Sequence, residues 1–240
     1  MSGKMRREFG RESGLRCLAL AMVLSSAGCR EMPFRQVEMC SLDSVDPIVA
    51  RDQFQAETPS RFALVNSVVF EYLGRRLSLL GMIAVDAKSR SFRLVGLNPM
   101  GVTMFDISGN RHGTTCEFAL EGLIDAPARS EDLADAMGTD VRRMYFDLIP
   151  PRRAAVRKGW NSIVFLSRQK EGAIKHRFAG HGPVLIEKQY YEDGSPVCRV
   201  RYYEYENHGD YRYPAGIILD NQKYGYRLVV RLREIREVGA

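Results

Sequence analysis

The 240-residue chain contains no run of eighteen or more uncharged apolar residues, which excludes a membrane protein with several helical spans. It also lacks internal repeats and low-complexity tracts. Hydrophobic residues make up 45% of the chain and charged residues 27%, a balance that excludes collagen-like, coiled-coil and intrinsically disordered proteins. We therefore expect a globular protein with one sizeable core or two small ones.

Motifs of catalytic and metal-binding sites are also missing. No pair of cysteines has the C-x-x-C spacing of a metal site, and no G-x-S-x-G sequence signals a nucleophile elbow. The four histidines are His112, His176, His181 and His208. Each lies in a polar stretch, so we expect exposed loop side chains rather than metal ligands. Because no acidic pair stands out as general acid and base either, the sequence predicts neither an enzyme nor a bound metal or cofactor.

The first 28 residues have the pattern of a secretory signal peptide. Five basic residues come first, the apolar run CLALAMVL follows, and small residues lead up to Cys29. The sequence Ala27-Gly28-Cys29 resembles the lipobox of bacterial lipoproteins, although Ser26 stands where that motif has an aliphatic residue. The resemblance implies cleavage before Cys29, a diacylglycerol group on its thiol and an amide-linked acyl chain such as palmitate. The alternative is an ordinary cleaved signal with a cysteine nearby.

The residues around the lipobox also bear on export and destination. Arg6 and Arg7 fit a twin-arginine export motif as well as the basic region of a general secretion signal. Arg30 stands where lipoproteins retained in the inner membrane have Asp, so the resemblance implies a lipid anchor in the outer membrane, with the body facing the periplasm. Residues 1–28 hold five basic and two acidic residues, and their removal lowers the formal charge from +6 to +3. That charge is too small to predict a nucleic-acid partner.

Three further cysteines remain in the mature chain: Cys40, Cys116 and Cys198. An odd number cannot pair completely within one chain. Cys116 and Cys198 lie in strand-like segments, where they could form a disulfide in an oxidising compartment or serve as small buried apolar side chains. The sequence leaves both alternatives open.

Hydrophobic alternation predicts strands along most of residues 62–240. We interpret residues 29–61 as a lipidated tether that leads into a short helix or coil near Ile48–Ala56. Short connections rich in Gly, Asn and Pro force neighbouring strands to be antiparallel, because a parallel crossover needs a dozen or more residues. The predicted strands are Phe62–Tyr72, Leu77–Val85, Phe92–Leu97, Val102–Ile107, Thr114–Leu120, Ser162–Ser167, Ile174–Phe178, Val184–Glu192, Val197–Tyr205, Ile217–Asp220 and Tyr226–Ile235.

One predicted helix, at about residues 130–149, interrupts the strands. Ser130 is suited to cap its N-terminus, and Pro150 ends it. Its apolar residues recur at spacings of three and four, which places them on one stripe. They are Leu133, Met137, Val141, Met144 and Leu148. The basic residues that follow, 152–158, are expected to form an exposed link.

These elements predict a mainly β (α+β) domain: a strongly curved antiparallel sheet, or incomplete β-barrel, of about eleven strands with a helical lid. One helix over a bent apolar sheet leaves a space that suits an acyl chain or another long apolar ligand. The predicted ligand-binding residues are Val68, Phe70, Leu79, Ile83, Phe92 and Leu94 on the sheet and Met137, Val141 and Met144 on the helix. The alternative is a solidly packed structural or assembly lipoprotein of an envelope complex. We expect the tyrosines within residues 190–213 to pack across strands rather than stack on a carbohydrate or nucleic acid.

The lipobox, the apolar strand meander and the single helical interruption together resemble the LolA/LolB-like group of lipoprotein-sorting proteins. The run LVGLNPMGVTMF at 94–105 is similar to an uncharacterised lipoprotein branch of that group, and the ending PAGIILDN…GYRLVV at 214–230 resembles it too. The resemblance covers most of residues 62–235. It implies an incomplete β-barrel closed by helices that holds lipid or the acyl chains of lipoproteins, and so a role in trafficking to the outer membrane.

Overall fold

Twelve strands and two helices make up the part of the chain that the computed structural model describes, residues 33–120, 130–170 and 172–236. The helices are α1 (Pro47–Glu57) and α2 (Ser130–Tyr145). The strands are β1 (Arg61–Tyr72), β2 (Arg75–Asp86), β3 (Ser91–Leu97), β4 (Thr103–Gly109), β5 (Thr114–Ala119), β6 (Ala155–Lys158), β7 (Ile163–Gln169), β8 (Gly172–Ala179), β9 (Val184–Glu192), β10 (Ser195–His208), β11 (Tyr211–Asn221) and β12 (Tyr226–Arg236).

All twelve strands belong to one antiparallel sheet with the order β5-β4-β3-β2-β1-β12-β11-β10-β9-β8-β7-β6. Strands adjacent in sequence pair with each other, except β5 and β6, and β1 also pairs with β12. This pairing joins an N-terminal half of five strands to a C-terminal half of seven. Within the described residues β5 and β6 are the two ends of the sheet, and they do not pair with each other.

Bulges bend this sheet so that one face becomes concave. Five of the eleven strand pairs contain a register shift, and an extra residue on one strand increases the local twist and bend. Two of the hairpins have two-residue turns with positive φ at both residues, Leu73-Gly74 and Asp193-Gly194, where φ lies between 47° and 77°. Positive φ at both residues matches the right-handed twist of the strands. The concave face carries the core, as the alternating pattern predicts.

The predicted fold class is confirmed, with one strand and one helix end placed differently. The segment expected to be a basic link forms β6 at the edge of the sheet, where it pairs only with β7. All four side chains of β6 are exposed, so no apolar alternation marks it in the sequence. The predicted helix ends at Tyr145 instead of about residue 149, because Asp147 adopts a left-handed φ of 51° that an α-helix cannot contain.

Phe34 packs against the outer, convex face of the sheet. Its ring stacks on Tyr203 with the centroids 5.5 Å apart, and the guanidinium of Arg231 lies 4.5 Å from the ring centroid. Gly216, which lies between these two residues in the sheet register, leaves room for the ring. A Cβ on Gly216 would come within 2.4 Å of a ring carbon. Position 216 therefore requires a glycine, because the ring of Phe34 occupies the space that a larger side chain would need.

The chain then passes from the outer face to the core. Val37 contacts Gly180 in the β8–β9 turn, where a Cβ would lie 2.5 Å from a valine methyl group. Leu42 is fully buried in the core. We call residues 34–42 the strap. The sequence predicts a tether here, and the structure shows that this part of it is packed on the sheet rather than extended away from it.

Helix α1 follows the strap and covers part of the concave face. The carboxylate of Asp46 caps it by accepting hydrogen bonds from the main-chain N–H groups of Ile48 (2.7 Å) and Val49 (3.0 Å). Phe54 is buried and meets the ring of Phe178 edge to face at 5.2 Å. The short helix or coil expected near 48–56 is thus a capped helix that belongs to the core.

Several sequence predictions concern residues outside the described ranges. These are the signal peptide, 1–28, and the lipidation site, Cys29. Among the described residues, neither helix is long and apolar enough to span a membrane. Cys40, Cys116 and Cys198 are free thiols, so the disulfide alternative is not formed, and Cys198 is a small buried side chain instead.

Replacing Phe34 tests whether the strap stabilises the sheet. We expect Phe34→Ala to lower the free energy of unfolding by about 3 kcal/mol, because it empties a filled site over Gly216. Urea denaturation followed by circular dichroism measures the change. Val49→Ala, at an exposed position of α1, is the control and should change stability by less than about 0.5 kcal/mol. Equal effects of the two substitutions would show that the strap is not part of the folded core.

Candidate ligand-binding site

Four side chains of β8, β9 and β10 hold the C-terminal end of α2 against the sheet. The last carbonyls of a helix have no partner within it, so they need donors from elsewhere. The donors are Tyr190 to Arg143 O (3.2 Å), Tyr202 to Met144 O (2.8 Å), Lys188 to Phe146 O (2.6 Å) and His176 to Asp147 O (2.8 Å). We call these four donor side chains the C-terminal clamp.

Lys188 is the most unusual member of the clamp because its side chain is fully buried. Its ammonium group lies at the negative end of the helix dipole, 5.6 Å from the ring centroid of Tyr190 and 5.9 Å from that of Tyr202. Burial lowers the pKa of Lys188 to about 7, although the charge of Asp147 acts in the opposite direction. This lysine therefore changes its charge near neutral pH while inside the core.

His176 lies on β8 with its ring buried, so the expectation of an exposed loop side chain is wrong for this histidine. The carbonyl of Asp147 can only accept, which means that Nε2 carries a proton and donates it. Burial lowers the pKa of His176 to about 4, so the ring is neutral at pH 7. His176 lies two residues after Ile174 and two before Phe178, and both of these are buried. This alternation is the signal that could have placed His176 on the inner face of β8. The other three histidines are exposed, and the described residues contain no cluster of side chains able to hold a metal ion.

A bidentate ion pair ties the segment after α2 to the other half of the sheet. Arg90, in the β2–β3 turn, donates to both carboxylate oxygens of Asp147 at 2.8 and 3.2 Å. Burial alone would raise the pKa of Asp147, but the hydrogen bonds and charge of Arg90 hold it below its usual value. The end of α2 therefore contacts both halves of the sheet, through the clamp on one side and Arg90 on the other.

The last two turns of α2 are also fixed by their own side chains. The hydroxyl of Tyr226 donates to the carboxylate of Asp140 at 2.5 Å, and burial raises the pKa of Asp140 to about 6. Arg142 donates to the main-chain carbonyls of Asn110 (2.9 Å) and Gly113 (2.8 Å), next to β5. From residue 140 onward α2 is thus a lid bound to the sheet by polar contacts.

An apolar cleft lies between the end of α1, the end of α2 and strands β1, β10, β11 and β12. Its walls are mainly aliphatic and aromatic. The lining residues are Phe54, Thr58, Pro59, Phe62, Leu64, Asn66, Met144, Tyr145, Leu148, Tyr202, Tyr205, Arg212, Tyr213, Pro214, Ile217, Val230 and Leu232. The cavity volume is about 30 Å³, which holds one or two water molecules and is far too small for an acyl chain.

The nine residues predicted to bind a ligand fall into two groups. Ile83, Phe92, Val141 and Met144 are buried in the core, and Met144 alone of the nine lines the cleft. The half-buried group consists of Val68, Phe70, Leu79, Leu94 and Met137. The structure thus brings the predicted residues to one concave face, but it places the cleft to one side of most of them.

The half-buried sheet residues form a second apolar surface, which we call the trough: Val68, Phe70, Leu79 and Leu94. Val68 pairs with Leu79 in the register of β1 and β2. Gly81 lies beside them, and a Cβ there would be 3.3 Å from Val68 and 3.9 Å from Leu94. The side chains of Val68 and Leu94 therefore close in over Gly81, which is itself buried.

Asn66 of β1 and Tyr145 of α2 separate the cleft from the trough. The side-chain amide of Asn66 donates to the hydroxyl of Tyr145 at 3.3 Å, and both side chains are buried. Asn66 is two residues from Leu64 of the cleft and two from Val68 of the trough, so all three share one face of β1. The cleft and the trough are therefore neighbouring parts of one face of β1, next to the end of α2.

Three tyrosines of the cleft were not recognised from the sequence: Tyr202, Tyr205 and Tyr213. They belong to the segment expected to pack across strands. Tyrosine favours strands whichever face its side chain occupies, so its presence alone does not show that it faces a cleft. The alternation of Tyr213 with the buried residues Ala215 and Ile217 is the signal that could have placed it on the inner face.

A comparison with protein-family models establishes the family. The family described as a protein of unknown function, DUF3261, matches residues 63–234, which is most of the chain. The chain belongs to the DUF3261 family. No curated protein matches it. The strap and α1 of this DUF3261 protein precede the matched region, although both pack on its sheet.

Solved structures similar to the DUF3261 protein share its fold at low sequence identity. A LolA superfamily protein from Nitrosomonas europaea has a TM-score of 0.52 and 11% identity, over 81% of this chain and 96% of its own. A candidate outer membrane lipoprotein-sorting protein domain from Vibrio parahaemolyticus has a TM-score of 0.50 and 10% identity, over 80% and 93%. The DUF3261 protein therefore has a LolA-like fold, and the resemblance inferred from its sequence is confirmed at that level.

The buried lysine predicts how the stability of the DUF3261 protein depends on pH. Above pH 7 the folded protein releases the proton of Lys188, whereas the unfolded chain keeps it up to its ordinary value of 10.5. Because the unfolded state then binds more protons, the free energy of unfolding should rise with pH, by about 1 kcal/mol per unit between pH 7 and 8.5. Urea denaturation across this range measures the slope.

The matched variants for this measurement are Lys188→Met and Lys170→Met. Lys188→Met should flatten the slope and lower stability, since it leaves the carbonyl of Phe146 without a donor. Lys170 is exposed, and its replacement should leave the slope unchanged. A slope that survives in Lys188→Met would mean that another group causes the pH dependence.

Proposed function

We propose that this DUF3261 protein is a lipid-anchored periplasmic protein that binds an acyl chain or another long apolar ligand on the concave face of its sheet. The observation that carries the proposal is the apolar surface along β1, where the cleft and the trough adjoin at Tyr145. The trough side chains are half-exposed, so a ligand lying there would remove apolar surface from water. The proposed contacts are those of the nine predicted residues together with the cleft.

Entry of a long chain requires Tyr145 to move, because the cleft is too small as it stands. The clamp binds main-chain carbonyls of α2 and not the Tyr145 side chain, so the ring can rotate while the clamp stays intact. Rotation would break the hydrogen bond of 3.3 Å to Asn66, at a cost of about 1 kcal/mol, and would also take the buried ring away from Phe62, whose ring centroid lies 6.1 Å from its own. It would also join the cleft to the trough in a single groove.

The LolA-like fold supports a binding role by analogy. One similar structure is described as a candidate lipoprotein-sorting domain, and we extend that role to this chain as carriage of lipid or lipoprotein acyl chains toward the outer membrane. We propose a binding protein rather than an enzyme. The groups with the most shifted basic pKa values, Lys188 and His176, bond to the carbonyls of Phe146 and Asp147 just after α2 and do not line the cleft.

The proposed lipid anchor at Cys29 would keep the body close to the membrane. Five Cα-to-Cα steps separate Cys29 from Phe34, and a fully extended chain of that length spans at most about 18 Å. Phe34 is buried on the outer face of the sheet. A lipid on Cys29 would therefore hold the folded domain near the periplasmic surface of the outer membrane.

The alternative function is that of a structural or assembly lipoprotein of an envelope complex that binds no ligand. Two observations favour it: the small volume of the cleft and the tight fixation of α2 by the clamp. A protein with a filled interior would act through its surface, by binding other members of the envelope complex.

Native mass spectrometry of the gently purified protein tests the binding function. We expect bound lipid in the wild type and its loss in Leu232→Trp, which fills the cleft, because a bulky ring would occupy the space of the chain. Met137→Trp probes the trough side in the same way. Met82→Trp, at an exposed position of β2, is the control and should retain the lipid.

The pattern of losses locates the ligand. Loss in Leu232→Trp alone would place it in the cleft, and loss in Met137→Trp alone would place it under α2, as the sequence predicts. A wild-type protein free of lipid would contradict the binding function and favour the structural alternative.

A separate experiment tests the proposed lipid anchor at Cys29. We expect Cys29→Ala to abolish incorporation of radiolabelled palmitate and to release the protein from the membrane fraction, because the thiol accepts the diacylglycerol group. Cys40→Ala is the matched control and should keep both the label and the membrane association. Unchanged labelling of Cys29→Ala would exclude the lipobox interpretation.

A further inference from the structure

Arg212 is the one charged side chain among the residues that line the cleft within the described part of the chain. It lies on β11, where a guanidinium nitrogen is 3.2 Å from a carboxylate oxygen of Glu57. Another guanidinium nitrogen donates to the main-chain carbonyl of Gly182 at 3.2 Å. Arg212 and Glu57 are each 24% exposed, so the pair lies where the cleft meets solvent.

Three other polar groups of the cleft already donate their hydrogens within the protein. The hydroxyl of Thr58 donates to the carbonyl of Phe54 at 2.7 Å. The hydroxyls of Tyr202 and Tyr205 donate to main-chain carbonyls at 2.8 and 2.6 Å. These groups have no hydrogen left to offer a ligand. Arg212 has five donor hydrogens, so it can bind a ligand oxygen more readily than they can.

We infer that Arg212 binds the anionic headgroup of a long-chain amphiphile whose chain lies in the cleft, and that Glu57 occupies this position when no ligand is bound. The inference rests on the proposed function, since it names the class of the proposed ligand. A guanidinium matches the planar geometry of a carboxylate or phosphate and binds either through two hydrogen bonds. A neutral headgroup would leave the Arg212–Glu57 pair in place and gain no such contact.

The position of Glu57 connects headgroup binding to the opening of the cleft. Glu57 is the last residue of α1, and the next two residues, Thr58 and Pro59, line the cleft before β1 begins. An anion that replaces Glu57 at Arg212 removes the ion pair between the end of α1 and β11. The same exchange therefore releases one wall of the cleft as the chain enters.

A competition experiment tests this inference on the full-length lipoprotein in neutral detergent. Palmitate, hexadecyl phosphate and hexadecan-1-ol are added at equal concentration, and native mass spectrometry gives the ratio of bound anionic to bound neutral probe. We expect the wild type to prefer the anionic probes about fivefold, as for a partly exposed ion pair. Arg212→Gln should reduce the ratio to about one. Glu57→Gln should raise it further, because the competing carboxylate is gone.

Matched variants complete the experiment. Arg93 forms an ion pair with Asp106 at 2.7 Å outside the cleft, so Arg93→Gln should leave the ratio unchanged. Arg212→Lys keeps the charge and should retain part of the preference, which covers the case that Arg212→Gln does not fold. The ratio of palmitate to hexadecyl phosphate shows whether a carboxylate or a phosphate is the better headgroup.

Two outcomes would overturn the inference, and they are distinguishable. Equal binding of anionic and neutral probes by the wild type and by Glu57→Gln would reject the role of Arg212 while supporting the binding function. Binding of none of the probes by any variant would reject the binding function and this inference with it.

Discussion

The contact between the end of α2 and the C-terminal clamp is the constraint on which the candidate site depends. A buried carbonyl without a donor costs about 1–3 kcal/mol, and α2 ends with several of them inside the protein. Strands β8, β9 and β10 supply the donors, two of which are the ionisable side chains of Lys188 and His176. Because Arg90 reaches Asp147 from the other half of the sheet, the helix end is fixed relative to both halves.

This fixation decides how the concave face can be used. The clamp holds the main chain at the end of α2 in place, while the side chains of Tyr145 and Asn66, which bond to each other, line the cleft next to the trough. In the proposed function the Tyr145 ring would move to admit a chain while the main chain of the lid keeps its hydrogen bonds. The proposed amphiphile, with a long apolar part and one polar end, would use the apolar surface of the cleft and the trough together with the charge of Arg212 on the cleft wall.

The strap shows that the convex face also contributes to the fold. Phe34 fills the space over Gly216, and Val37 fills that over Gly180, so two glycines of the sheet are sites where the N-terminal segment packs. The chain then enters the concave side, where Phe54 of α1 joins the core. The residues before the DUF3261 region thus contact both faces of its sheet.

The sequence by itself determined the antiparallel strands, the central helix and the concave apolar face, because alternation and helical spacing report which side of each element is buried. It missed β6, whose exposed side chains carry no such pattern, and His176, whose polar character suggested a loop. Only the tertiary structure decided the pairing of β1 with β12, the clamp, the position of the cleft and the meeting of Arg212 with Glu57. Each of these joins residues far apart in the chain, and a local pattern of hydrophobic and polar residues does not encode which distant side chains will meet.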